Sequence, residues 1–277
     1  MNSTRPVSHV NGRESAFTLV ELFTVLVVIA VLSTLLFPVL AASRPPAQAY
    51  QCLENQRRMV LAWRLYSDDY NGKIALNYSS MSGGVTPDPT SPIATNGNWV
   101  QGDVASPPAW TNTLLIKVGS LFPYTKSVAL YKCPADPTTV FSAYVQLPRT
   151  RSISMNCWLN PSNAWNSACR VFRNQTDITN PAPANLWVFL DENPATINDG
   201  FFVCDPSNPT KWVDIPAAYH GGGSGISFAD GHAIIHKWSD PVVLRGLSGG
   251  SGGISPQQFP PTDLQWLEAH STSLRPR

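Results

Sequence analysis

The chain has 277 residues, room for one sizeable folded domain plus extra segments, and carries a net charge of +1 with only 13% charged residues. The absence of a basic block argues against a nucleic-acid surface, so no nucleic-acid partner is expected. The 25 Pro, 18 Gly and nine Trp suit a loop-rich, strand-containing domain better than a helical bundle, and the five Cys fit an oxidising compartment.

Residues 1–16 are polar and include Arg5, Arg13 and Glu14. Phe17 to Ala42 then reads as an apolar helix with a single charge, Glu21, and Pro38 near its far end. At 1.5 Å per residue this segment reaches roughly 39 Å, enough to cross a bilayer core. The arginines before it favour a cytoplasmic N-terminus. A conventional signal peptide is one reading, because Val39-Leu40-Ala41 offers a small-residue cleavage site and a mature start at Ala42. A plain membrane anchor is another. Neither accounts for Glu21, since a carboxylate in lipid costs about 2 kcal/mol or more without a partner.

Beyond Ser43-Arg44-Pro45-Pro46, residues 47–70 read as a second helix. Tyr50, Leu53, Val60, Leu61 and Leu65 recur on it at roughly helical spacing, and Asn71-Gly72 ends it. Residues 73–106 are polar and rich in Gly, Pro, Ser and Thr, which reads as a long surface loop. Short strand-like runs follow at Ser127–Tyr131, Leu186–Leu190 and Gly200–Val203. The sharpest local signal is Asp230-Gly231 between two apolar runs, a hairpin. A two-residue turn there pairs Phe228 with Ala233 and Ile226 with Ile235. It turns those four to the core, with His232, Ile234 and His236 on the other face. Residues 246–253 have linker composition, and a short helix is expected near Leu264–Ala269.

Ser15-Ala16-Phe17-Thr18-Leu19-Val20-Glu21, followed by Pro38, resembles the processing site of type IV prepilins and type II secretion pseudopilins. One departure is Ala16, where that family normally has Gly. The resemblance implies an α+β, pilin-like fold: a long N-terminal helix, half in the membrane and half packed on an antiparallel sheet. It implies a leader (1–16), an assembly helix (17–42), its amphipathic continuation (43–72), a periplasmic or extracellular head (73–240) and a tail (241–277). Cleavage falls between Ala16 and Phe17, with methylation of the Phe17 amine. Glu21 then meets the amine of a neighbouring subunit. The implied partners are a prepilin peptidase and methyltransferase, other pilin or pseudopilin subunits, an inner-membrane assembly platform and membrane lipid. The implied location is the bacterial inner membrane, single-pass, or a cell-surface filament. The protein is then a structural subunit rather than an enzyme. The alternative is a secreted or membrane-anchored binding protein with a conventional leader, the tryptophans stacking on glycans.

Residues 15–238 also resemble a branch of this family from planctomycete- and verrucomicrobium-type bacteria, with a C-terminal His-x9-Asp-Gly signature. Here the signature is His220, Asp230 and Gly231. Cys52-Leu53-Glu54-Asn55 with Tyr66, Gly119-Ser120-Leu121, Cys133-Pro134-Ala135-Asp136 and Ser154-Met155-Asn156 are similar as well. That branch implies no catalytic residues. It implies a Cys52–Cys133 disulfide; Cys157 and Cys169 can close a second, smaller loop, which leaves Cys204 over. Buried free thiols are the competing reading. With no CxxC, a zinc site of the usual spacing is not expected. His220, His232 and His236 near Asp230 raise a metal reading, but the turn position of Asp230 favours local backbone bonds instead. Asp191, Glu192, Asp199 and Asp205 are calcium candidates by precedent in major pseudopilins, set against ordinary turn carboxylates. No other cofactor is expected.

Overall fold

The computed structural model describes residues 18–42, 47–78, 97–105, 107–142, 144–245 and 262–275, with side chains for all of these except 33–42 and 142. Ala16, Phe17 and the 43–46 interruption lie outside the described residues. The chain divides into two units, residues 1–45 and 46–277.

The first unit is helix α1, Leu19–Ala42, which includes Pro38. Leu, Val and Ile dominate it, and all its described side chains, through Leu32, are exposed. Among the described residues no helix is long and apolar enough to cross a membrane. The stretch Leu19 to Leu32 measures roughly 20 Å, against the ~30 Å of a hydrocarbon core.

The second unit is α+β. Helix α2, Ala47–Asp69, is built from Ala, Gln, Leu, Arg and Glu with no internal Gly or Pro, a composition that favours helix. Asn71 and Gly72 take positive φ (55° and 83°), and the Gly72 N–H donates to Ser67 O at 2.7 Å, closing the last turn. The expected helix is therefore present, but its buried face differs. Val60 is buried as expected and Leu53 half-buried, but Cys52, Gln56, Met59, Trp63 and Tyr66 complete the buried face, whereas Tyr50, Leu61 and Leu65 face solvent. Ser227 Oγ donates to Gln56 Oε1 at 3.1 Å, offsetting part of the cost of burying that polar member, while its Nε2 has no partner.

Short helices α3 (Leu114–Lys117) and α4 (Phe122–Thr125) follow. Val128–Tyr131, expected as a strand, is a 3-10 turn, since a four-residue apolar run carries no period that separates the two. Strands β1 (Thr139–Ser142) and β2 (Val145–Pro148) form a separate antiparallel pair. The main sheet holds β3 (Ile153–Asn156), β4 (Trp187–Asp191), β5 (Phe201–Phe202), β6 (Gly223–Phe228) and β7 (Ala233–Lys237) in the order β5-β3-β4-β6-β7. It is mixed, because β3 and β5 run parallel while the other pairs are antiparallel. Helices α5 (Pro241–Arg245) and α6 (Thr262–Ala269) complete the unit.

Alternation along the strands splits the core in two. Met59, Val60 and Trp63 of α2 join Trp99, Ile153, Met155 and Phe189 on one side. Trp187, Leu190, Phe202, Ile226 and Phe228 join Val242, Val243, Leu264 and Leu267 on the other. A register shift between Trp187 and Phe189 lets β4 serve both. Two segments given to the periphery by sequence are thus core. Ile74, Ala75, Trp99 and Val100 of the expected loop 73–106 are buried, and residues 262–272 are fastened through Trp187 Nε1 to Ser271 Oγ (2.8 Å) and Asn156 Nδ2 to Ser271 O (2.9 Å).

The hairpin forms, one residue out of the expected register. Ile226 pairs with Ile234 and Ser227 with Ala233, and the Phe228 N–H donates to His232 O at 2.9 Å. The loop is therefore Ala229-Asp230-Gly231, with Gly231 at φ 102° and its N–H donating to Phe228 O. This is the three-residue alternative to the two-residue turn. Because strand periodicity is two, the slip moves every partner to the other face. Ile226 and Phe228 share a face with His232, Ile234 and His236, while Ala233 and Ile235 lie opposite Ser227 and Gly225.

Candidate functional site

Two places gather the residues singled out by sequence. The first is the start of α1. Thr18 precedes the helix, and Glu21 folds back onto it. Glu21 Oε2 accepts from the Thr18 N–H at 2.9 Å and from Thr18 Oγ1 at 2.7 Å, while the Glu21 N–H donates to Thr18 Oγ1 at 3.3 Å. This is a reciprocal capping box. Within its own chain Glu21 already has a partner, and both bonds from Thr18 fall on one carboxylate oxygen.

The second place lies under α2. Cys52 sits on the buried face of that helix, Cys133 follows the 3-10 turn, Asp191 ends β4, and His220 sits in the loop before β6. Their sulfur, oxygen and nitrogen atoms all lie within 4.8 Å of one another, and all four residues are buried. Cys52 Sγ donates to Asp191 Oδ2 at 3.0 Å, and Cys133 Sγ lies 3.2 Å from His220 Nε2. Asp191 Oδ2 also accepts from the Gly225 N–H at 3.0 Å, whereas buried Asp191 Oδ1 has no partner. Burial pushes the Asp191 carboxyl up to about 6 against the opposing bond from Cys52. The hydrogen bond with Cys133, burial and the nearby carboxylate push the Cys52 thiol far above its ordinary value. Burial and the Lys237 charge lower the His220 imidazole. A thiol beside an imidazole can be a nucleophile, but Cys133 is fully buried and offers a substrate no approach.

The expected bridges are not formed: all five cysteines are free and buried. Cys52 and Cys133 are indeed neighbours, but they share their space with Asp191 and His220. Cys157 Sγ points to Cys204 O at 3.9 Å and Cys169 Sγ to Asp205 Oδ1 at 4.0 Å, so these two thiols are directed to different partners.

His220 is part of the buried cluster, apart from His232 and His236, the two histidines grouped with it in the sequence. His232 stacks on Phe228 with centroids 4.3 Å apart, and His236 stacks on Trp266 at 3.8 Å. Asp230 bonds locally as expected, its Oδ1 accepting from the His232 N–H at 3.0 Å. Its carbonyl accepts from Arg64 Nη1 at 2.6 Å, tying the turn to α2.

The calcium candidates do not gather as one set, although Glu192 and Asp199 lie near each other around Arg151. Asp191 and Glu192 are adjacent, so they leave the chain in opposite directions. Glu192 is buried near Arg151 and Asp214, Asp199 Oδ1 accepts from the Phe201 N–H at 2.8 Å, and Asp205 Oδ1 accepts from the Ser207 N–H at 3.0 Å. The Arg151 guanidinium donates to Ile153 O and Asn198 O, answering the buried acids around it. Of the nine tryptophans, six are buried, and Trp165 alone is exposed among the described residues, lining a cleft with Arg149, Asp199 and Asp214. That cleft is where a glycan reading would have to sit.

Comparison with protein-family models, curated proteins and solved structures finds no match to this chain.

Proposed function

We propose that the chain is a pilin- or pseudopilin-like structural subunit, cut between Ala16 and Phe17 and assembled through its apolar N-terminal helix. The supporting observation is a carboxylate in the first turn of a helix whose described apolar side chains, Leu19 to Leu32, all face outward. Such a surface calls for lipid or for further copies of itself. Continued through Ala42, the helix runs 24 residues, roughly 36 Å at 1.5 Å per residue.

Cleavage before Phe17 creates an amine one residue from Thr18. In lipid, Glu21 then accepts the amine of a neighbouring copy, each ion relieving the other's desolvation, and the pair sets the stagger between stacked helices. The bonds from Thr18 occupy Oε2, so Oε1 is the oxygen offered to the neighbour. The α+β unit lies outside the cytoplasm, and the chain is a substrate of a prepilin peptidase rather than an enzyme.

The capping role and the pairing role of Glu21 separate by mutation. Glu21→Ala and Glu21→Gln lose assembly while membrane insertion survives, measured as filament yield against membrane-fraction content. Thr18→Ala removes the cap, at about 1 kcal/mol of helix stability, and keeps assembly. Normal filaments from Glu21→Gln contradict the charge pairing.

A further inference from the structure

Four side chains from four distant parts of the chain, Cys52, Cys133, Asp191 and His220, converge on one buried point. Among the described residues this is the one group of three or more such donors able to hold a metal ion. We propose that it is a structural zinc site, tetrahedral and closed, with two thiolates, one imidazole and one carboxylate as ligands.

The spacing fits. Zinc bonds of about 2.3 Å to sulfur and about 2.0 Å to nitrogen or oxygen give tetrahedral edges of roughly 3.3–3.8 Å. The two close contacts, 3.0 Å from Cys52 Sγ to Asp191 Oδ2 and 3.2 Å from Cys133 Sγ to His220 Nε2, need only small outward shifts, and no pair exceeds 4.8 Å. The donor set selects the ion. Thiolate with imidazole favours zinc over calcium or magnesium, which want oxygen. Four protein ligands with no open position make the site structural rather than catalytic.

The surroundings are built for it. The Gly225 N–H orients Asp191 Oδ2 at 3.0 Å. Position 225 must be bare, because a Cβ there would lie 2.8 Å from Cys52 Sγ and 3.1 Å from Asp191 Oδ2. The His220 N–H donates to Gly223 O at 3.0 Å, fixing the loop that carries the ring, and Lys237 Nζ donates to Gly221 O at 2.9 Å beside it. Asp191 Oδ1 is buried and unpartnered, an arrangement that costs stability unless something charged answers it. Binding releases the two thiol protons to solvent, leaving three anionic ligands on a dication, with the Lys237 cation nearby. Cys52, Cys133 and His220 each belong to a different short motif of the sequence; the metal gives the three one purpose.

The test uses the full-length chain in detergent, purified without added reductant, with zinc and the state of Cys52 and Cys133 measured per chain and thermal melting followed. About one zinc per chain is expected. Its removal by a chelator lowers Tm, and zinc, but neither magnesium nor calcium, restores it. Gly225→Ala weakens zinc binding by about 10–100-fold. His220→Ala and Asp191→Asn lower the zinc content, while Cys204→Ser does not. Should the ligand variants fail to fold, cobalt loaded into the wild-type chain reports the site instead, through the intense visible bands of tetrahedral thiolate coordination. The proposal is overturned by a metal-free native chain whose Cys52 and Cys133 are found joined as a disulfide, by a Tm indifferent to zinc, or by cobalt spectra without those bands.

Discussion

Asp230 and Gly231 hold their turn through chemistry confined to a few atoms. Gly231 sits at φ 102°, a conformation that side chains rarely adopt, and a Cβ there would lie 2.9 Å from Arg64 Nη1. Gly231→Ala is therefore expected to lower stability by about 1–3 kcal/mol, read as a shift in the denaturant midpoint; an unchanged midpoint would mean the turn relaxes freely. The Asp-Gly signal was legible because few other residues accept that backbone. Its register was not, because the same dipeptide also serves a three-residue loop; in the register formed, Phe228 stacks on His232. The buried cluster was illegible for a different reason. Its donors stand at 52, 133, 191 and 220, with no two on one element, so no spacing in the sequence announces them.

At the scale of elements, α2 was readable from its helix formers and its Asn-Gly end, while its buried face was not. Gln56 and Ser67 are buried and Leu61 and Leu65 exposed, the reverse of a hydrophobicity ranking; the strand opposite supplies a partner for Gln56 Oε1, while Gln56 Nε2 and Ser67 Oγ have none. Helix α6 was also foreseen, as part of a tail, yet Leu264 and Leu267 lie in the second core. Its Glu268 is buried with Oε1 unpartnered, and burial and the nearby Asp205 push its carboxyl up to about 8. Cys169 and Cys204 also lie within its field. A carboxyl raised in the folded state favours folding fully below its ordinary value near 4.5, and that advantage is lost as pH rises through about 8. Melting temperature should accordingly fall across that window, and Glu268→Gln should flatten the fall. Buried Asp214, also raised to about 8, contributes a residual slope of the same sign. A slope unchanged by Glu268→Gln would mean that Glu268 is ionised in the fold.

For the whole molecule, the proposals divide between its two units. The α+β unit rests on two cores, one on either side of a mixed sheet, and a zinc ion would fasten α2, the segment after the 3-10 turn, β4 and the loop before β6 at one point. Helix α1 makes the functional proposal, in which a lone acid within an apolar surface meets the new amine of another copy. That proposal depends on where the working protein begins. Mass spectrometry of the N-terminal peptide from membrane-extracted native protein decides it: we expect a chain starting at Phe17 with a methylated amine. A chain that keeps residues 1–16, or one that starts at Ala42, would contradict the account.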